Sequence, residues 1–87
     1  MSQEEFLQDQ IEAIVDKVLS RANAGKLGMK WYLSTMYNYA SVEGIHLSQT
    51  PSYYLNTIVK ELKIIFPDAT ISKNLLETYI LIDWSEN

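Results

Sequence analysis

The segment His46-LSQTPSYYLNTIVKELKIIF-Pro67 decides how the rest of the chain is read. Thr50-Pro51 is a strong helix start: the Thr oxygen accepts a first-turn N–H, and Pro takes the first helical position, where its missing N–H costs nothing. Residues 46–49 ahead of it form a short polar turn. Leu55, Ile58, Val59, Leu62, Ile65 and Phe66 then recur at three- and four-residue intervals, the buried stripe of a helix over 51–66 that Pro67 stops. Tyr53, Asn56, Thr57, Lys60, Lys63 and Ile64 project to the opposite face, with Ser52 at its start.

That polar face suits a nucleic acid groove. Asn56 can pair bidentately with adenine, Ser52, Thr57 and Tyr53 can reach base edges or phosphates, and Lys60 and Lys63 can neutralise phosphates. An ordinary solvated helix surface has the same composition, so both readings stand.

Downstream of Pro67, residues 69–72 read as a short strand, 73–77 as a connection and 78–84 as the return strand of a hairpin, rich in β-branched and aromatic residues. Thr78, Ile80, Ile82 and Trp84 share one face, and Tyr79, Leu81 and Asp83 the other. Asn74 suits a turn position with positive φ. Leu75 and Leu76 form an apolar tip; such a tip folds back on the core or, when exposed, marks a protein contact. Lys73 is the cation left there to meet phosphate.

Upstream, residues 30–43 read as a helix with Leu33, Met36, Tyr37 and Ala40 on one face, and Gly44 is placed to end it in the left-handed conformation. Trp31 and Val42 fall off that face, which predicts a helix sandwiched between neighbours; a partner surface around Trp31 is the other reading. The opening helix spans 3–23. Ser2 and Glu5 have capping-box spacing, and Leu7, Ile11, Ile14, Val15, Val18, Leu19 and Ala22 form its apolar stripe. Glu5, Asp9, Glu12 and Asp16 line up opposite as an acidic ridge, read as a solvated outer face or as a docking surface for a basic partner. The stripe is also long enough for a homodimer seam.

Length and composition limit the rest. At 87 residues and 47% apolar content the chain is expected to form one domain over 1–87. With no cysteine there is no disulfide, thiolate metal site or Cys nucleophile. The net charge of −4 is unevenly placed: both ends are acidic, whereas the middle carries Lys26 and Lys30 against Glu43. A nucleic-acid domain usually presents a stronger basic footprint. His46 is the single histidine and has no ligand-spaced partner, and Gly25 and Gly28 form no phosphate loop. No nucleophile motif or cleft-forming carboxylate pair is present, so neither enzymatic activity nor a cofactor is expected. The acidic start and the lack of a roughly 20-residue apolar run predict a soluble, cytoplasmic chain without membrane association.

From Trp31 to Trp84, over about two thirds of the chain, the sequence resembles the winged helix-turn-helix superfamily. More loosely it is similar to regulatory-factor-X type domains and the C-terminal winged helices of poxvirus-type and mobile-element primase-helicases. The likeness rests on Tyr39-Ala40, Glu43-Gly44-Ile45, Leu47-Ser48-Gln49-Thr50, Leu62, Ile65-Phe66-Pro67 and Tyr79-Ile80-Leu81-Ile82. It implies an α+β fold of three helices and a C-terminal β-hairpin, a small first strand from residues 26–29, a recognition helix at 51–66 and a basic wing at 73–77. The wing departs from the pattern through its two leucines.

Two functions follow as expectations. One is a small DNA-binding protein, a regulator or replication accessory of a virus or mobile element, acting on duplex or single-stranded DNA through Ser52, Tyr53, Asn56, Thr57, Lys60, Lys63 and Lys73. The other is an acidic protein-interaction module or small inhibitor, docking through Glu5, Asp9, Glu12, Asp16, Trp31, Leu75 and Leu76 without binding DNA.

Overall fold

A computed structural model describes residues 2–85. The fold is α+β, in the order α1 (Gln3–Asn23), β1 (Gly28–Tyr32), α2 (Leu33–Glu43), α3 (Pro51–Ile65), β2 (Thr70–Lys73) and β3 (Tyr79–Asp83). The three strands form one antiparallel sheet in the order β1-β3-β2, so the last strand is the central one.

Helix α1 starts where the cap predicts. The Ser2 Oγ accepts from the Glu5 N–H at 3.1 Å, which satisfies a donor that the first helical turn leaves free. Phe6, Leu7, Gln10, Ile11, Ile14 and Val18 are buried. The expected stripe therefore shifts: Phe6 and Gln10 join it, while Leu19 is 52% exposed and Ala22 is in solvent. At 21 residues the helix rises about 31 Å, longer than the elements it packs on, so its last turn outruns the core.

The largest correction concerns residues 30–43. Lys30–Tyr32 is strand, not helix, and α2 begins only at Leu33. Residues 26–29, expected to supply the first strand, contribute only its start. Gly28 pairs with Asp83 and Tyr32 with Tyr79, and the inward alternation of Met29 and Trp31 is satisfied by burial. Pairing with a strand 50 residues away overrides the local helical spacing, which is the context dependence typical of β-structure. Gly28 is required there, because a Cβ would come 2.9 Å from the Ile82 carbonyl oxygen. Helix α2 is not sandwiched: Leu33, Met36 and Ala40 are buried on one side, whereas Val42 is 84% exposed. Gly44 ends it at φ 70°, as its position predicts.

Helix α3 begins at Pro51, with the Thr50 Oγ1 accepting from the Tyr53 N–H at 3.1 Å. Tyr54, Leu55, Ile58 and Leu62 are fully buried. Burial of such a side chain stabilises by about 1.5–3 kcal/mol relative to exposure. The helix ends at Ile65, one residue early, and Ile65 is 43% exposed rather than core. Tyr54 also holds the preceding turn. Its hydroxyl donates to Gln3 Oε1 at 2.7 Å and accepts from the Gln49 N–H, while Gln3 Nε2 donates to the His46 carbonyl at 2.6 Å. The start of α1 is thereby tied to the turn that aims α3. Burial and the neighbouring Tyr54 raise the Tyr37 hydroxyl above its usual range.

Strand β2 is displaced one residue toward the C-terminus, so that Lys73 is strand rather than connection, and β3 starts and stops one residue inside its expected limits. Ile80 and Ile82 are buried and Leu81 is exposed, as the alternation predicts. Trp84 is half-buried, with its indole N–H donating to the Lys26 carbonyl at 2.8 Å.

Candidate functional site

Three surfaces carry the residues singled out by the sequence, and all three adjoin α3. The first is the outward face of α3 itself. Tyr53, Asn56, Lys60, Lys63 and Ile64 are exposed and Thr57 and Ser52 half-buried. Thr57 Oγ1 donates to the Tyr53 carbonyl at 2.8 Å, and Asn56 Nδ2 lies 3.4 Å from Ser52 Oγ. Lys60 and Lys63 are the cations of this face, and Glu61 lies on its α1 side.

The second surface is the hairpin connection. Lys73 Nζ lies 3.1 Å from Glu77 Oε2, the one ion pair among the described residues, and 3.4 Å from Ser52 Oγ. The Ser52 hydroxyl and then the Lys73 ammonium hold the Glu77 carboxyl below its ordinary range. Lys73, the one cation expected at the wing, is thus paired with a carboxylate of the same loop. Asn74 is the staple of the loop. Its Oδ1 accepts from the N–H groups of Thr78 and Tyr79 at 2.8 and 2.9 Å, and its Nδ2 donates to Thr78 Oγ1 at 2.7 Å. The positive φ expected at Asn74 falls instead on Glu77, at 56°, since Asn74 spends its side chain on the loop amides. Leu75 and Leu76 stand at the tip, the first fully exposed and the second 83% exposed.

Beside the tip lies the open face of the sheet. Tyr32 and Tyr79 are cross-strand partners with ring centroids 5.7 Å apart, and Lys30 Nζ sits 4.8 Å from the Tyr79 ring. Leu81 is exposed in the next row, opposite Lys30. The alternation of β3 already placed Tyr79 and Leu81 together. The pairing of Tyr32 and Lys30 with β3 is not legible in the sequence, because a helix over 30–43 scatters them around an axis instead of pairing them across strands.

The third surface is the groove between α1 and α3. One recess of about 350 Å³ is lined by Glu4, Leu7, Gln8, Ile11, Tyr53, Thr57 and Glu61, and one of about 270 Å³ by Gln8, Ile11, Glu12, Val15, Asp16 and Ile65. Shared Gln8 and Ile11 make them one continuous groove. Of the acidic ridge, Glu12 and Asp16 reach it. Glu5 is exposed on the outer side, and Asp9 instead borders a recess with Lys17, Trp31 and Tyr39. Trp31, expected as a contact residue, is 5% exposed on the inner face of β1. It belongs to the core and offers no free surface, because its strand alternation points it at the helices.

Among the described residues no three His, Cys, Asp or Glu side chains are grouped to hold a metal ion, and no helix is long and apolar enough to cross a membrane. In comparisons with known proteins the chain matches no family model, no curated protein and no solved structure.

Proposed function

We propose that this chain is a winged-helix module that acts by docking on a protein partner, with the hairpin tip and the adjoining open sheet face as its contact. The order of helices and strands and the sheet order β1-β3-β2 are compatible with that layout. The observation that carries the docking reading is the state of the wing: two leucines in solvent on a loop stapled by Asn74, and its lysine paired with Glu77. Holding leucines in water is unfavourable unless something covers them, and contiguous exposed apolar groups of this kind mark contact sites. Exposed Tyr32 and Leu81 and half-buried Tyr79 add apolar surface on the open face of the sheet, with amphipathic tyrosines of the type enriched in interfaces.

The test is a substitution that alters only the tip. Leu75→Asp combined with Leu76→Asp is expected to leave stability within about 0.5 kcal/mol, as for surface changes generally, and to abolish a discrete complex of defined stoichiometry with the partner. A partner retained by the double variant excludes the tip.

DNA binding is the second reading, favoured by the exposure of Asn56, Lys60 and Lys63 on α3, with half-buried Ser52 at its start. A salt titration of binding to duplex and single-stranded DNA separates the two. Contact with several phosphates makes affinity fall steeply with salt, whereas the docking reading expects weak binding at all ionic strengths.

A further inference from the structure

We infer that the groove between α1 and α3 is a second docking site, and that its occupant is a basic amphipathic helical segment of a partner protein. This surface lies on the α1 flank of α3, away from the hairpin tip, and its assignment does not depend on the tip.

Charge points to the occupant. Glu4, Glu12 and Asp16 from α1 and Glu61 from α3 border the groove, and no cation lines it. None of these four carboxylates has an ion-pair partner among the described residues, where the one salt bridge is Lys73–Glu77. Glu12 and Asp16 stand four residues apart on one helix, a like-charge spacing that destabilises an isolated helix. A surface that keeps this repulsion in the free protein is complementary to a row of Lys or Arg side chains. The same carboxylates repel a phosphate backbone, which argues against nucleic acid on this flank.

Shape and polarity add a second requirement. The accessible apolar surface of the groove comes from half-buried Val15 and exposed Ile65, over the buried Leu7 and Ile11. Leu19, one helical turn beyond Val15 on α1, adds exposed apolar surface past that end. From Glu4 to Asp16 the groove follows twelve residues of α1, a rise of about 18 Å. That length accommodates roughly three turns of helix, the size of an amphipathic ligand that presents apolar anchors at i, i+3/i+4 and i+7 to a hydrophobic groove. A purely polar cation would satisfy the rim and leave the apolar surface uncovered. A purely apolar helix would bury unpaired carboxylates, which is costly.

The test uses a designed 14-residue helical peptide with Leu on one face and Lys on the flanks, a scrambled peptide of the same composition, and amide NMR of the full chain. The expected result is saturable shifts confined to Glu4, Gln8, Glu12, Asp16, Glu61 and Ile65, affinity that weakens with salt, and at least tenfold weaker binding by the scrambled peptide. Glu12→Lys with Asp16→Lys is expected to weaken binding at least tenfold, while Leu75→Asp with Leu76→Asp leaves it unchanged. Equal binding of the scrambled peptide, shifts spread over the whole surface, or full affinity in the charge-reversed variant would each overturn the assignment. So would a homodimer in sedimentation analysis of the free chain whose interface broadens these same amides, because the occupant is then a second copy.

Discussion

The two flanks of α3 use the same ingredients in opposite ways. On the hairpin flank the charge is settled internally, Glu77 being held by Ser52 and Lys73, and the aliphatic groups Leu75 and Leu76 are pushed out to the tip. On the α1 flank the aliphatic groups line a groove and the carboxylates Glu4, Glu12, Asp16 and Glu61 stand unpaired at its edge. The difference teaches that net charge says little about what such a small chain can bind. On the reading proposed above, a local ion pair leaves the wing an apolar contact, while the unpaired carboxylates of the other flank select for a cationic one.

The comparison can be broken or sharpened by experiments of decreasing size. Leu62 is fully buried on the core side of α3, the helix that both flanks share; Leu62→Ala is expected to cost about 2–5 kcal/mol in chemical denaturation and to weaken both surfaces together. If one surface survived intact, the two would not share a foundation. Asn74→Ala removes the acceptor for two loop amides and is expected to cost about 1–2 kcal/mol. Faster amide exchange should then be confined to Thr78 and Tyr79, without change along α1. Glu12→Gln relieves a like-charge spacing and is expected to stabilise by about 0.2–0.5 kcal/mol, with no effect at the hairpin. A loss of stability on that change would mean that Glu12 already has a cationic partner within the chain.

The smallest effect is in pH dependence. Because the Glu77 carboxyl is held below its ordinary range by Ser52 and Lys73, its contribution is present at neutral pH and is lost only as pH falls through that lowered value. In a carboxyl NMR titration Glu77 should therefore protonate below the ordinary glutamate range. Glu77 titrating within the ordinary glutamate range would show that the Ser52 and Lys73 links do not persist in solution, and the wing lysine would again be free for phosphate. Asp83, held down by the hydroxyl and N–H of Ser85, serves as an internal reference for a lowered carboxyl away from both flanks.

Much of this architecture was legible locally. Ser2 and Thr50 were readable as caps because an N-cap bond spans only three residues, and the faces of α3 and β3 were readable because period alone sets them. The exposed leucine tip was recognisable as an anomaly for a DNA-gripping wing. The groove was only half legible: Glu12 and Asp16 were on the acidic ridge, but Glu4 and Glu61 come from different helices and had no reason to be read together.

By itself, then, the sequence determined what neighbouring residues can settle among themselves: three helices, the caps that start two of them, an alternating final strand and an acidic first helix. Tertiary structure decided that Lys30–Tyr32 is a strand, that Trp31 is core, that Ser52 meets Lys73, and that carboxylates from α1 and α3 share one groove. The reason is contact range. Caps and periodicities are enforced within one turn or one pleat, whereas strand pairing, the Ser52–Lys73–Glu77 cluster and the groove need residues about 20 to 60 positions apart to meet, and their free energy exists only once the chain has closed.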